Sequence, residues 1–267
     1  DRFRVLEKEI REYLAELKIV PREVIPISAR EGATVMRRDN QHLLWWKGPT
    51  LLEALLAGAG KSQQSPEGPL RFSIQDVYRF DARRVIAGKL ESGKIRVGDP
   101  VIFFPDRKAS RIRSIESWGE ETPLREMRSG QSVAVTLEEQ IFVERGHVGA
   151  SLDHPPVESR ELRARIFWLD TEPLRLQAPV TLRLGTQTVE ARLVAIDRLV
   201  DAEKLEAVSD VREEVGRFEV AEVRIRCRRP LVYDSHEKVS STGRFALQRG
   251  ARIGGGGIIT VAEYPTS

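Results

Sequence analysis

Apolar and polar positions alternate along much of the chain from residue 69 onward. Phe72 and Ile74 alternate with polar neighbours, and this period of two predicts a strand with one buried face. Further apolar runs of strand length follow at residues 85–90 and 101–104. Turn-forming residues separate these runs, including Gly93 and the sequence Gly98-Asp99-Pro100. We expect a small antiparallel meander, which must close or pack to bury its apolar face.

The same alternation continues to the end of the chain in short segments with turns between them. The first part contains predicted strands at residues 111–115, 132–137 and 140–143. The second part contains them at residues 162–168, 180–184, 189–196, 220–227, 244–247 and 258–261. Pro155-Pro156 marks the division, which predicts one domain at residues 69–157 and another at 158–267. Many short strands favour a barrel or sandwich, so the predicted fold class is mainly β.

The first residues have a helical pattern instead. Apolar side chains recur every three or four residues between Phe3 and Leu17, which predicts an amphipathic helix over residues 1–18. Pro21 prevents its continuation.

An α/β arrangement is predicted for the rest of the first domain, residues 1–60. A short strand is expected at residues 23–28, and Thr50 with Glu53 predicts a capped helix over residues 51–56. A lone strand cannot form a parallel sheet, so its neighbours must lie upstream. Residues 61–68, which are rich in small and polar residues, are predicted to be a linker.

Composition narrows the possible classes of function only slightly. The 43 basic and 40 acidic residues leave a net charge of +3 and a pI near 9.1, which does not demand a nucleic-acid partner. The single Cys227 excludes an internal disulfide and is typical of the reducing cytoplasm. No apolar run reaches membrane-spanning length, so no membrane partner and no signal peptide are expected. The chain begins at Asp1 rather than Met, and we expect a fragment.

Two segments resemble a known superfamily. Residues 87–101 read Ala-Gly-Lys-Leu-Glu-Ser-Gly-Lys-Ile-Arg-Val-Gly-Asp-Pro-Val. This sequence resembles the second-domain β-barrel of translation-factor GTPases. Residues 144–148 resemble the family's Arg-Gly-Asp-Val strand start, with His147 in place of the usual acid. The resemblance implies two consecutive antiparallel β-barrels, translation-factor domains 2 and 3, after an α/β remnant of a P-loop GTPase domain.

Residues before the first barrel narrow this resemblance. Ser28-Ala29 matches the last guanine-contacting motif of these GTPases, and residues 45–53 read Trp-Trp-Lys-Gly-Pro-Thr-Leu-Leu-Glu. The barrel then opens with Leu-Arg-Phe-Ser-Ile-Gln-Asp-Val at residues 70–77. Together these segments resemble the GTPase subunit of bacterial sulfate adenylyltransferase, including forms fused to an adenylylsulfate kinase.

This resemblance implies a function for the complete protein. In that family a catalytic ATP-sulfurylase small subunit makes adenylylsulfate from ATP and sulfate, and GTP hydrolysis on the GTPase subunit drives this uphill reaction of sulfate assimilation. The resemblance implies GTP and Mg²⁺ in the complete protein, with Ser28, Ala29 and Arg30 on the guanine side. The phosphate loop and magnesium site are expected upstream of Asp1, so the chain alone should hold no cofactor or catalytic residue and be inactive. The expected partners are the small subunit and, in fused forms, the kinase domain.

Two alternatives stay open. One is an elongation-factor-like module that binds aminoacyl-tRNA, although the sequence Trp46-Lys47-Gly48-Pro49-Thr50 favours the sulfate branch. The other is a scaffold with no nucleotide role. A phosphate loop in the sequence upstream of Asp1 would exclude the scaffold.

Several weaker motifs have structural interpretations. Gly58-Ala59-Gly60-Lys61-Ser62 lacks the first glycine of a phosphate loop, because Leu55 occupies that position. The glycines at residues 254–257 are predicted to form a tight barrel turn rather than an anion cradle. The histidines are scattered and one cysteine cannot build a thiolate site, so no metal site is expected. Trp45 and Trp46 are expected to plug a core or an interface.

An arginine stripe is the last candidate site. Alternation along residues 220–228 places Arg224, Arg226 and Arg228 on one face, and Arg229 follows them. The stripe is either a solvated face neutralised by acids such as Glu213 and Glu214, or a surface that docks an acidic region of the catalytic partner. A nucleic acid could use the same stripe.

Overall fold

A computed structural model describes residues 2–16, 19–38, 43–59, 68–80, 83–116, 124–201, 207–208 and 213–261. The chain forms two compact units, Asp1–Gln63 and Gln64–Ser267. The described part of the first unit contains two helices, α1 (Arg2–Glu16) and α2 (Leu51–Ala59). Both were predicted, and α2 continues three residues further than expected. Most of the predicted linker, with Gly60-Lys61-Ser62, lies outside the described residues.

The capping box that starts α2 is confirmed. The Glu53 carboxylate accepts a hydrogen bond from Thr50 N–H at 2.9 Å, and the Thr50 hydroxyl accepts one from Glu53 N–H at 3.2 Å. Each side chain satisfies one of the N–H groups that the first helical turn leaves free.

The strand predicted at residues 23–28 is wrong. Within the described residues of this unit, Ser28 forms only an isolated bridge with Ala33, which forms another with Arg37. A strand needs a hydrogen-bonded neighbour, and no extended segment described in this unit supplies one. Thr34, buried and with a positive φ of 56°, instead donates its hydroxyl to Pro26 O.

The second unit begins with eight described strands. They are β1 (Arg71–Phe80), β2 (Arg83–Ser92), β3 (Lys94–Arg96), β4 (Pro100–Phe104), β5 (Lys108–Glu116), β6 (Glu126–Arg128), β7 (Ser132–Leu137) and β8 (Val148–Ala150). Six close into a barrel in the order β1-β2-β7-β5-β4-β8. Phe72 and Ile74 lie in its core, as their spacing predicts.

The predicted meander is correct for β1 and β2, which pair antiparallel within the closed barrel, but β4 pairs with β5 and β8 instead of β2. β3 does not pair with β2 or β4 but forms a separate ribbon with β6. Gly93, with a positive φ of 77°, turns the chain out of the barrel, and a Cβ there would lie 2.9 Å from Leu70 Cα. The strand predicted at residues 140–143 is also absent, although Ile141 and Val143 still pack against the barrel core, which accounts for their apolar spacing.

Nine further described strands form the rest of the unit. They are β9 (Val157–Trp168), β10 (Leu174–Arg175), β11 (Pro179–Leu184), β12 (Gln187–Asp201), β13 (Ala207–Val208), β14 (Glu214–Val215), β15 (Glu219–Tyr233), β16 (Arg244–Arg249) and β17 (Arg252–Val261). The order β11-β16-β17-β9-β15-β12 closes through pairing of β11 with β12, and β13 extends β12. β10 and β14 form a small ribbon. The mainly β fold with two antiparallel barrels is confirmed.

The glycines at residues 254–257 do not form a turn. They lie within β17, where a Cβ on Gly254 would approach Trp168 Cη2 to 2.5 Å and one on Gly257 would approach Arg165 O to 2.7 Å. Glycine is required because the Trp168 ring and the neighbouring backbone pack directly against this strand.

Membrane-spanning helices are absent from the described part of the chain, where neither helix is long and apolar enough to cross a bilayer.

Candidate functional site

The predicted guanine loop is held at its ends and open at its tip. Ser28 N–H donates to Ala33 O at 3.1 Å, and the Ser28 hydroxyl oxygen accepts a hydrogen bond from Glu31 N–H at 3.4 Å. Ala29 and Arg30 are exposed, and Arg30 lies 3.6 Å from the Glu31 carboxylate. Among the described residues, Ala29 N–H has no hydrogen-bond acceptor. The loop can therefore offer one backbone donor to a ligand.

The tryptophans of the first unit form an aromatic cluster. Phe3 lies 5.2 Å from Trp45 and 5.5 Å from Trp46 between ring centroids. The Trp46 indole N–H donates to Pro49 O at 3.0 Å, and Gly48 leaves room for the same ring. This cluster packs α1 against the segment that leads into α2, but Trp45 remains 53% exposed, so the two tryptophans do not plug a buried core.

A buried ion pair joins the two barrels. Arg71 of β1 donates from Nε and Nη2 to the two carboxylate oxygens of Asp234, both at 2.7 Å, and the two side chains are 0% and 1% exposed. Arg71 Nη1 donates to Leu70 O and to His154 O. The Thr242 hydroxyl donates to Asp234 at 2.8 Å. Because these bonds satisfy the buried charges on both sides, they hold the barrels in one geometry.

Sequence reasoning missed this buried arrangement of Arg71, Asp234 and Thr242, which we call the clamp. Its alternating pattern assigned Arg71 to a polar, outward face of β1. A charged residue at the start of a strand gives no local signal that its partner lies in another barrel.

The turn before β8 lies at the same junction. His147 is buried, its Nε2 is 3.7 Å from the Glu144 carboxylate, and its Nδ1 has no partner among the described residues. Burial lowers the pKa of His147 below its ordinary value, and the Asp106 and Glu144 carboxylates oppose this without reversing it. A cleft of about 380 Å³ between the barrels is lined here by Gly146, His147, Thr186 and Arg229, among others.

The arginine stripe lies on the outer face of β15. Arg224, Arg226 and Arg228 are exposed and alternate with buried residues, as predicted. Each pairs with an acid of a neighbouring strand: Arg224 with Asp197, Arg226 with Glu161, and Arg228 with Glu190. Arg229 donates instead to Thr188 O.

The acids expected to neutralise the stripe are not the ones that pair with it. Glu214 pairs with Arg175, and Glu213 contributes its carbonyl oxygen to Leu176 N–H. Strand pairing determines which acids lie beside each stripe arginine, and the alternation of apolar and polar residues cannot predict it.

Further arginines adjoin the stripe. Arg192 stands directly opposite Arg226, and Arg163 directly opposite Arg224, although like charges in opposed positions destabilise a sheet. A cleft of about 390 Å³ opens between Arg160 and Arg192, neither of which has a carboxylate partner in the part of the chain that the structure describes. Cys227 lines this cleft, and burial raises the pKa of its thiol to about 12, so it remains protonated.

Metal ligands do not cluster in the described ranges, where no three His, Cys, Asp or Glu side chains could hold one ion.

Comparison with known proteins gives two sets of relatives. The family model described as GTP-eEF1A C-terminal domain-like matches residues 161–260. Sulfate adenylyltransferase subunit 1 of Shewanella oneidensis is 33% identical over 227 residues, which cover 84% of this chain and 46% of that protein. Elongation factor 1-alpha of Aeropyrum pernix is 32% identical over 243 residues, which cover 88% of this chain and 54% of that protein. The chain spans about half the length of these relatives.

A solved structure confirms the fold. Sup35 complexed with GDP matches with a TM-score of 0.70 at 18% identity, covering 98% of this chain and 65% of that chain. The two closed barrels correspond to translation-factor domains 2 and 3. The relatives, rather than this structure, confirm the resemblance to sulfate adenylyltransferase subunit 1 and to translation-factor GTPases.

Proposed function

We propose that this chain, a homologue of sulfate adenylyltransferase subunit 1, is part of the GTP-hydrolysing subunit of a cytoplasmic sulfate adenylyltransferase. The observation that carries the proposal is its 33% identity to the Shewanella oneidensis protein across 84% of the chain. The complete protein would bind GTP and Mg²⁺, and GTP hydrolysis would drive the synthesis of adenylylsulfate from ATP and sulfate in sulfate assimilation.

The loop at residues 28–30 is proposed to contact the guanine base. Exposed Ala29 N–H, free of an intramolecular acceptor among the described residues, can donate to the guanine carbonyl oxygen. The Ser28–Ala33 bridge holds the loop in position, and Arg30 lies beside the base edge in this proposal.

In the complete protein, Ala29→Pro tests this role. Proline removes the donor and restricts the loop, so GTP affinity should fall by the cost of about one hydrogen bond, roughly 1–3 kcal/mol. Calorimetry of wild type and variant measures the change. An unaltered affinity would refute the guanine assignment without affecting the partner proposal.

The two barrels are proposed to hold the catalytic small subunit. The buried clamp keeps them in one geometry, while the outer face of β15 presents Arg224 and Arg226. Arg160 and Arg192 lie beside them, without a carboxylate partner among the described residues. The planar guanidinium group of arginine can donate two parallel hydrogen bonds to one carboxylate. An acidic surface of the small subunit therefore fits this face.

Charge reversal tests the docking face in the complete protein. Arg224→Glu with Arg226→Glu should slow association with the small subunit, most strongly at low salt, because opposite charges steer encounter. Stopped-flow fluorescence gives the rate, and coupled assays give GTP hydrolysis and adenylylsulfate formation.

A matched double variant controls for net charge. Arg183→Glu with Arg244→Glu makes the same change on β11 and β16 and should leave association nearly unaltered. Equal rates for both double variants would exclude the stripe as a docking face. GTP hydrolysis that is never coupled to adenylylsulfate formation would exclude the proposed function itself.

An elongation-factor-like module is the second candidate, because the identity to elongation factor 1-alpha is nearly as high, at 32%. Aminoacyl-tRNA binding that is lost in the Arg224 and Arg226 double variant would favour it. Sequencing of the complete gene decides whether an adenylylsulfate kinase domain is fused to the protein.

A further inference from the structure

A cleft on the outer face of the second barrel concentrates arginines. Its volume is about 390 Å³, and it opens where β9, β15 and β12 lie side by side. Four exposed arginines border it, namely Arg160 of β9, Arg192 of β12, and Arg226 and Arg228 of β15. Glu190 is the one acid among the described residues that line this cavity. The four arginines therefore border a single concave surface, which we call the arginine cleft.

Two carboxylates neutralise half of this positive charge. Glu190 lies 3.2 Å from Nη1 of Arg228, and Glu161 lies 2.5 Å from Nη2 of Arg226. Arg226 stands between two opposed neighbours in the sheet, Glu161 on β9 and Arg192 on β12. The carboxylate of Glu161 binds Arg226, so Arg192 has another arginine as its neighbour on this side.

Strand register leaves the other two arginines without an acid beside them. On its far side Arg192 is opposed by Pro179 of β11, which carries no charge. Arg160 faces a bulge in β15, where the pairing with β9 skips residues 227–230, and these four residues include no acid. Neither Arg160 nor Arg192 has a carboxylate partner in the described part of the chain.

The next acids along β9 and β12 are bound elsewhere. Glu158 pairs with Arg107, and Asp197 pairs with Arg224. Two positive charges at the cleft therefore receive no counter-charge from the described residues. Directly opposed arginines also destabilise a sheet, so folding alone does not account for them. A concave surface that carries one sign of charge focuses its potential and attracts an ion of the opposite sign.

We propose that the arginine cleft binds a diphosphate-class oxyanion, either free inorganic diphosphate or the diphosphate group of a nucleotide. The planar guanidinium group can donate two parallel hydrogen bonds to phosphate oxygens, so Arg160 and Arg192 each hold one phosphoryl group. The volume of the cleft is typical of sites for small ligands and exceeds what a single tetrahedral anion fills. Gln177, which also lines the cleft, can add an uncharged amide donor.

This inference goes beyond the proposed function and does not rest on it. Docking of the small subunit is tested through Arg224 and Arg226, whereas the anion site is tested through Arg160 and Arg192. A failure of small-subunit docking would leave the anion site unaffected, so the two proposals can fail separately.

Titration of the isotope-labelled chain with inorganic diphosphate at low salt tests the proposal. We expect one binding site in calorimetry and saturable NMR shifts of the Arg160 and Arg192 Nε–H signals. A parallel titration with adenosine diphosphate distinguishes the two sources, and its adenine keeps the guanine loop out of the measurement. Binding as tight as that of inorganic diphosphate assigns the site to a nucleotide, and much weaker binding assigns it to the free anion.

Arg160→Gln with Arg192→Gln should weaken diphosphate binding about tenfold or more, because two charge-assisted contacts are lost. Glutamine removes the like charge opposite Arg226, so the melting temperature should not fall. Arg183→Gln with Arg244→Gln is the matched control, since these exposed arginines lie on β11 and β16 of the same barrel and their loss changes the net charge equally. The control should bind diphosphate as wild type does.

The proposal is overturned if millimolar inorganic diphosphate causes no saturable shifts. It is also overturned if both double variants lose affinity equally, because the barrel would then attract anions without a specific site. Saturable binding that leaves the Arg160 and Arg192 signals unchanged would contradict it as well. Since these signals are measured in the wild-type chain, they decide the question even if a variant fails to fold.

Discussion

The junction between the two barrels and the arginine stripe on β15 both contain arginine–carboxylate pairs, but the pairs in the two regions differ in burial. Arg71 and Asp234 are shielded from water and have hydrogen bonds on every side, whereas Arg226 and Glu161 are about half exposed. A buried pair loses its hydration on folding, so any missing partner leaves an uncompensated charge. An exposed pair is screened by water and salt, and its arginine can exchange one carboxylate for another. The same side chain therefore fixes geometry in one region and remains available for a partner in the other.

The clamp predicts the largest effect. Arg71→Ala leaves Asp234 buried without its main partner, so the free energy of unfolding of the second unit should fall by about 3–5 kcal/mol. Urea denaturation followed by fluorescence measures this loss. The double variant Arg71→Met with Asp234→Leu removes both charges and should recover most of the stability. A single-variant loss below about 1 kcal/mol would mean that the clamp behaves like a surface pair.

Thr242→Val should have a smaller effect at the same junction. It removes the hydroxyl that donates to Asp234 at 2.8 Å, and one buried hydrogen bond to a charged group contributes about 1–3 kcal/mol. Urea denaturation again measures the loss. In the background of the Arg71 and Asp234 double variant the same substitution should cost much less, and equal losses in both backgrounds would contradict coupling to the clamp.

His147 should make the junction sensitive to acid. Its pKa is lowered in the folded protein, so the unfolded chain binds a proton at a higher pH than the folded chain does. Its stabilising contribution is therefore complete above the ordinary histidine pKa, about 6.5, and is lost as the pH falls from there through the folded pKa. Asp106 and Glu144 favour the charged ring and Lys108 disfavours it, so all three influence the folded pKa.

His147→Gln should flatten the pH dependence of unfolding between pH 7 and 5. Histidine NMR titration gives the folded pKa of His147 directly. A His147 pKa above 6.5 would contradict the prediction.

Arg226→Gln should have the smallest effect on stability. The exposed pair with Glu161 contributes at most about 1 kcal/mol and should contribute less at high salt. Chemical denaturation at low and high salt measures both quantities. A loss as large as that of Arg71→Ala would remove the contrast between the two regions.

Local patterns determined much of the architecture from the sequence alone. Alternation identified most strands of both barrels, because a strand with one buried face needs apolar residues at every second position. The reciprocal capping of Thr50 and Glu53 involves residues three positions apart, so it too was visible in the sequence. The resemblance to translation-factor GTPases depended on similarly short segments.

Only the tertiary structure decided how these elements meet. It paired β3 with β6, placed the glycines at residues 254–257 inside a strand against Trp168, and left residues 23–28 without a sheet partner. It also buried Arg71 against Asp234, 163 positions away, and supplied each stripe arginine with an acid from a neighbouring strand. These contacts depend on strand order and register, which join residues distant in sequence, whereas hydrophobic periodicity records only whether a position faces inward or outward.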